Sequence, residues 1–332
     1  MSLESRINKL VGLGKYIQAN GEELQAAAHL AYLNNNWFTK DFTYKMLNNV
    51  VAYYLEEGAL RKWATEYAVE NLAPKKVALI LAGNIPMVGF HDVLCSYIAG
   101  HQTLIKYSDK DEILIPHLLK KLDDPDQFRR VERLEDFDAI IATGSNNSAR
   151  YFESYFGKYP HIIRKNRNGV AILSGEETKE DFKALGRDIF TYFGLGCRSV
   201  AKIYVPQEYD FVPLMETLHT FNDLIHHNKF KNNFDYNYAL YLLNKDNLFW
   251  NGCLCVKEDT SLHSRIASLH FEYYKDEDHL GELLESQKEN IQCIVSLKPI
   301  DAYPCFKFGD AQQPYLNNYA DGVDTMQFLT TL

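Results

Sequence analysis

The chain changes texture near Pro74, and that change constrains the fold more than any other feature. Beyond it, short continuous apolar runs alternate with amphipathic segments. "KKVALILAG" (75–83), "TLIKY" (103–107) and "FDAIIATGS" (137–145) lack the apolar–polar alternation of a half-exposed strand. They read as strands buried on both faces. Each is followed by a helical segment: "PMVGFHDVLCSYIAG", "KDEILIPHLLKKL" (despite Pro116) and "NNSARYFESYFG". Strands that alternate with helices imply parallel pairing through right-handed crossovers, hence a doubly wound α/β layout.

A second series follows. "PHIIRK" and "GVAIL" are extended, and Thr178 with Asp181 forms a capping box that opens a helix. Phe182, Leu185, Ile189 and Phe193 recur at helical spacing, which places Gly194 at a left-handed C-terminal cap. "SVAKIYV", "DFVPLMETLHTFNDLIHH", "NYALYLLN", "NGCLCVKE" and "IQCIVSL" continue the α/β alternation. Before Pro74 the chain reads as helical, with apolar residues three and four apart in "LQAAAHLAYLNNNWF" and in the stretch from Tyr44 to Leu72. With 332 residues, two lobes are expected. Residues 1–172 form the helical region plus a first lobe. Residues 173–332 form the second, with a C-terminal tail that can return to the first.

Composition excludes several function classes. A net charge of −9 with no long basic patch speaks against a nucleic-acid partner. No apolar stretch reaches about 18 residues, so no membrane span is expected, and "MSLESRINKLVGLGKY" lacks a signal-peptide core. A cytoplasmic location follows, and the six cysteines read as thiols. Cys253 and Cys255 are spaced too closely for a zinc pair, so no metal is expected. Cys95 lies on an apolar helix face and reads as core.

Four places carry candidate chemistry. Asn84, in "AGNIP", offers an amide donor for an oxyanion whose direction Pro86 would fix; by itself it reads first as a helix-capping turn residue. Lys106 ends a strand, where a ribose or phosphate contact competes with simple snorkelling to water. Gly144 permits close backbone approach, and Ser145 opens a helix whose N-terminus suits a phosphate as well as an ordinary cap. Cys197, in "GLGCRS", has glycines on one side and Arg198 on the other, a setting for a reactive thiolate more than for core packing. No G-x-G-x-x-G follows the first strand, and no Walker A motif occurs.

The order of these elements resembles the aldehyde dehydrogenase superfamily: Asn-x-Pro after a first strand, strand-Lys-x-Ser, strand-Thr-Gly-Ser, then Gly-x-x-Cys after a helix. Within it, "AGNIP", "LIKYSDKDE", "ATGSNNSARYF", "GLGCRSVAKIYVP" and "NNYADGVDTMQFL" look like the acyl-CoA reductases related to the fatty-acid reductase of bacterial luminescence, over roughly residues 75 to 332. The resemblance implies an aldehyde dehydrogenase-like fold of two doubly wound lobes. It implies that Cys197 is the acyl-carrying nucleophile and that Asn84 with the Cys197 N–H forms the oxyanion hole. Lys106, Ser108 and Asp109 would contact the cofactor ribose, and Thr143, Gly144 and Ser145 would lie along the dinucleotide.

It also implies a reaction. Cys197 attacks an acyl-CoA or acyl-carrier thioester, the carrier thiol leaves, and hydride from NADPH or NADH releases the aldehyde. Asp109 favours NADH by charge. Lys110 and the resemblance favour NADPH, and the balance is set on NADPH. A partner acyl-transfer or activating enzyme and a homo-oligomer are compatible with this reading. The chain departs from the family at two places. "HIIRKNRNGVAIL" lacks the glutamate that activates water, and "PCFKFGD" lacks a leading acid. Without that base, hydrolysis of an acyl-enzyme is disfavoured and the reductive direction favoured. A cysteine acyltransferase or thioesterase, with His91 or His161 as base, and a non-catalytic nucleotide-binding member of the fold are the alternatives.

Overall fold

The computed structural model describes residues 1–70, 72–300 and 303–332. The chain divides into two compact units, residues 1–166 with 313–332, and residues 167–312. The first opens with four helices: α1 Leu3–Ala19, α2 Glu22–Asn34, α3 Lys40–Tyr54 and α4 Glu57–Thr65. Ser2 and Thr39 cap α1 and α3, accepting the N–H groups of Ser5 and Phe42. On α1 the residues Ile7, Leu10, Leu13 and Ile17 are buried, one face at three- and four-residue spacing.

The first sheet follows: β1 Lys76–Ile80, α5 Phe90–Ala99, β2 Gln102–Lys106, α6 Leu114–Lys121, β3 Phe128–Arg130, β4 Ala139–Thr143, α7 Asn146–Phe156 and β5 His161–Arg164. All five strands are parallel, in the order β3-β2-β1-β4-β5. The continuous apolar strands serve both faces. Val77, Leu79, Ile105 and Ile141 join the core that includes α5 and the N-terminal helices. Ala78, Leu104, Ile140 and Ala142 pack with Phe152 and Phe156 of α7. Pro116 is accommodated because it falls in the first turn of α6, where an N–H has no intrahelical partner. The edge strand β3, sequence Phe-Arg-Arg, carries no apolar run and was not foreseen.

The second unit contains β6 Asn168–Ile172, α8 Lys179–Phe190, β7 Val200–Pro206, α9 Val212–Leu218, α10 Asn228–Asn244, β8 Leu248–Trp250, β9 Cys255–Glu258, β10 Ser268–Tyr274, α11 Glu277–Gln287, β11 Ile291–Ser296 and β12 Cys305–Phe306. Its sheet runs β12-β11-β6-β7-β10-β9-β8, parallel except where β8 lies antiparallel to β9. Strand β10 escaped the sequence reading because one of its two faces is polar: Ser268, His270 and Glu272 alternate with the buried Leu269 and Phe271. Its Glu272 pairs with the fully buried Lys202 of β7, whose ammonium also donates to the Thr260 carbonyl at 2.8 Å.

One expected boundary is corrected. The capping box at Thr178 and Asp181 is present, but α8 ends at Phe190. Phe193 therefore does not continue its face. Tyr192, Phe193 and Gly194 all stand at positive φ (56°, 57° and 73°), so Gly194 is the last of three left-handed residues and not a lone cap. Bulky residues rarely adopt this conformation. Phe193 is held there by packing against His227 (4.4 Å between ring centroids) and Phe230 (5.6 Å).

The C-terminal residues, with α12 Thr325–Thr330, belong to the first unit. Trp63 Nε1 donates to Tyr319 Oη at 2.9 Å, the Tyr67 hydroxyl donates to Asp324 at 2.9 Å, and Arg164 Nη2 donates to Thr325 Oγ1 at 2.9 Å. No described helix is long and apolar enough to cross a membrane.

Candidate active site

In the first unit the strand order reverses between β1 and β4. Ligands of doubly wound sheets bind at such a point, beyond the carboxyl ends of the strands. The sequence-predicted residues of this unit lie at the carboxyl ends of three neighbouring strands: Asn84 after β1; Lys106, Ser108 and Asp109 at the end of β2; Thr143, Gly144 and Ser145 at the end of β4. Asn84 is half-buried on a turn between buried Leu81 and Met87. Met87 stands at φ 54°, and its N–H donates to Asp111 Oδ2 at 2.7 Å.

Gly83 allows β1 and the β2 turn to meet. A Cβ at this position would lie 2.6 Å from Ser108 Oγ and 2.8 Å from Ser108 Cβ. Ser108 Oγ also accepts the Lys110 N–H at 3.3 Å, which curls the Ser108–Asp109–Lys110 turn. Lys106 Nζ donates to the Glu132 carbonyl at 2.8 Å, so its ammonium is held over the end of β3. Asp109 is exposed, and its carbonyl accepts the Asn34 amide of α2 at 3.1 Å.

Ser145 is the N-cap of α7 and accepts the Ser148 N–H at 3.2 Å. That cap leaves the first-turn donors of Asn146 and Asn147, both exposed, facing outward. Gly144 is required by packing: a Cβ would lie 2.8 Å from Ser148 Cβ and 2.9 Å from the Phe152 ring. The packed contact of Gly83 with the β2 turn and the helix N-terminus at the end of β4 lie at the carboxyl ends of their strands.

Cys197 belongs to the second unit. The Ser199 N–H donates to the Gly196 carbonyl at 3.0 Å, closing a turn that carries Cys197 and Arg198 at its centre and runs into β7. The left-handed segment 192–194 feeds this turn from α8. Ser199 is clamped three ways: its carbonyl accepts the Gly169 N–H (3.1 Å), its hydroxyl accepts Gln312 Nε2 (3.1 Å), and its N–H closes the turn. Gly169 has no room for a side chain, since a Cβ would lie 2.7 Å from the Arg198 carbonyl oxygen. Cys197 is half-buried, and the Arg198 guanidinium lies over the Phe306 ring at 5.3 Å.

Sequence reasoning missed three residues of these loops. Asp111 is buried, and burial pushes its carboxyl up to about 7 against the opposing pull of the Met87 and Leu114 N–H groups. Asp188 of α8 is fully buried and is pushed by burial to about 7, while accepting the N–H groups of Gly309 (2.6 Å) and Ala311 (3.1 Å). Gln312 is the third. An acid inside the apolar stripe of Leu185 and Ile189 was the available signal for Asp188. Asp111 was hidden in the polar run "SDKDE".

The remaining cysteines are of another kind. Cys95, Cys253, Cys255 and Cys293 are buried, and burial raises the thiols of the last three to about 12. Among the described residues no cluster of three or more His, Cys, Asp or Glu could hold a metal. His91 and His161 lie in the first unit, bonded to the carbonyls of Leu316 (2.9 Å) and Tyr159 (2.8 Å).

No family model and no curated protein matches the sequence. Solved structures do match. An oxidoreductase from Marinobacter aquaeolei is 10% identical with a TM-score of 0.69, covering 95% of this chain and 79% of that one. Aldehyde dehydrogenase 21 from Physcomitrella patens, solved with its product succinate, is 10% identical with a TM-score of 0.68, covering 100% and 84%. Indole-3-acetaldehyde dehydrogenase of P. syringae, solved with NAD+, is 13% identical with a TM-score of 0.64, covering 89% and 72%. The chain has the aldehyde dehydrogenase fold.

Proposed function

We propose that the chain is a nicotinamide-dependent oxidoreductase that reduces an acyl thioester to an aldehyde through an acyl-cysteine at Cys197. The observation that carries this reading is the Cys197 turn: a half-buried thiol held between a left-handed segment and a clamped serine. Backbone strain of this kind is retained at sites where it serves a mechanism.

In this reading Cys197 sulfur bonds to the thioester carbon and the carrier thiol leaves. The Cys197 N–H and the Asn84 amide are the donors assigned to the oxyanion, each worth about 3 kcal/mol in the transition state. The acyl-cysteine ends as free aldehyde with Cys197 returned as thiol, one hydride and one proton having been consumed. A reduced nicotinamide, when bound in the first unit, would supply that hydride. Lys106, Ser108 and Asp109 would hold its ribose, and the Thr143–Gly144–Ser145 turn with α7 would take its phosphates. NADPH is the preferred form, with Lys106 and Lys110 offsetting Asp109. An acyl-CoA or acyl-carrier protein delivers the acyl group.

The test mixes the chain with an acyl-CoA and NADPH or NADH, and follows nicotinamide absorbance and free thiol together. Thiol release with matched cofactor oxidation, both lost in Cys197→Ala, is the expected outcome. Thiol release without oxidation turns the assignment to acyl transfer or hydrolysis. Wild-type CoA release by the Cys197→Ala variant overturns the cysteine assignment.

A further inference from the structure

Asp188 is a fully buried acid that the chemistry above does not use. Its two carboxylate oxygens accept two backbone N–H groups of one short loop, Gly309 at 2.6 Å and Ala311 at 3.1 Å. Gly309 stands at φ 91°, and a Cβ there would lie 2.7 Å from the Arg187 guanidinium, so the loop is pressed onto α8. The next residue, Gln312, donates its amide to Ser199 Oγ at 3.1 Å. Ser199 closes the turn that presents Cys197. A continuous path therefore runs from a helix to the candidate nucleophile, through bonds that are all buried.

We propose that Asp188 is a positioning residue for Cys197, acting through the 309–311 backbone and Gln312 on Ser199. This rests on the reading of Cys197 as an acyl carrier. The physical reason is the tolerance of nucleophilic attack. A thiolate must approach a carbonyl along a narrow path, and a displacement of about 1 Å can cost roughly a hundredfold. The left-handed segment fixes the entry to the turn, and the Asp188 chain fixes its exit. Alkylation by a small unconstrained electrophile makes no such directional demand.

The test compares two reactions of Cys197 in the full-length chain, both located by peptide mass spectrometry. One is acylation in a single turnover by acetyl-CoA, octanoyl-CoA or tetradecanoyl-CoA. The other is alkylation by iodoacetamide. Asp188→Asn and Gln312→Ala are each expected to slow acylation roughly fivefold while alkylation stays near wild type. The double variant falls no further than the slower single, as residues acting through one link should. Ser199→Thr, which keeps the hydroxyl, retains more acylation than Ser199→Ala. Wild-type acylation in Gln312→Ala overturns the proposal. So does a parallel loss of acylation and alkylation, which marks a role in folding alone. A wild-type chain that acylates with none of the three thioesters sinks the reading of Cys197 itself, a result separate from either.

Discussion

Asp111 Oδ2 accepts the N–H of Met87 at 2.7 Å, and Met87 is a buried residue held at φ 54°. A left-handed methionine costs about 1–2 kcal/mol, so the Asp111 carboxyl braces a turn that the chain would otherwise leave. The brace has a pH signature. Burial raises the Asp111 carboxyl to about 7 from the ordinary 3.8, and Asp188 is raised to about 7 in the same way. A carboxyl whose folded pKa exceeds its unfolded one binds more protons when folded. Its contribution is complete below the unfolded pKa and is lost as pH rises through about 7, up to about 4 kcal/mol per group. Urea unfolding from pH 5 to pH 8 should therefore show a fall in stability that Asp111→Asn and Asp188→Asn each flatten. Buried His101 and His270, pushed down by desolvation, act in the opposite sense over the acid side of that range. The comparison of variant with wild type removes their part. An unchanged slope in both variants would refute the ionisation behaviour.

Which parts of this molecule were legible in its sequence follows from which forces were local. The buried parallel strands β1, β2 and β4 announce themselves as apolar runs, because both of their faces are covered. Ser145 and the Thr178 capping box are fixed by hydrogen bonds three residues apart. By contrast, β10 hides behind His270 and Glu272, whose partners Ser261 and Lys202 are distant or on another strand. The Cys197 turn was visible as glycines around a thiol. Its clamps were not, because Gly169 and Gln312 come from remote stretches and act through backbone and amide contacts. The end of α8 was misplaced because Phe193 has helical spacing but packs on His227 and Phe230, and tertiary contact overrode the pattern.

Gly83 tests the first unit's candidate cofactor region. A methyl group here would press on Ser108 Oγ at 2.6 Å and Lys110 Cβ at 3.1 Å. Gly83→Ala should cost about 1–3 kcal/mol of stability by overpacking. It should also weaken NADPH binding roughly tenfold, an amount that about 1.4 kcal/mol produces. Gly83→Ala with Ser108→Gly should recover the stability but not the affinity, because the Ser108 contact is gone. Fluorescence titration with NADPH and urea unfolding measure the two effects. Unaltered affinity in both variants would remove Ser108 from the cofactor site.

The pair Arg164–Asp92 makes a separate prediction about the scaffold. The two meet at 2.5 Å, both buried, and Arg164 also donates to Thr325 at 2.9 Å. Removing the acid takes away the hydrogen-bonded counter-charge of a cation in a low-dielectric interior, leaving it only the field of Asp321. Asp92→Ala should therefore cost about 3–5 kcal/mol, whereas replacing both partners together, Asp92→Leu with Arg164→Met, should cost much less. Urea unfolding decides this. Equal losses in the single and double variants would mean that the pair contributes only through packing.

Gly169 is the position where the second unit has least freedom. A Cβ there would meet backbone on two sides, the Arg198 carbonyl oxygen at 2.7 Å and the Ser199 carbonyl oxygen at 3.0 Å. Neither atom can swing away as a side chain would, and Ser199 is already bonded to Gly169, Gly196 and Gln312. Gly169→Ala must then push β6 from β7 or displace the turn itself. The expected cost is about 1–3 kcal/mol, with faster hydrogen exchange at the amides of Gly169 and Ser199, whose bonds close the turn and join the strands. Because the displaced segment carries Cys197, acylation should fall more steeply than unfolding stability alone accounts for. A Gly169→Ala chain with wild-type exchange at Ser199 and wild-type acylation would show that the close approach of β6 has no part in presenting the thiol.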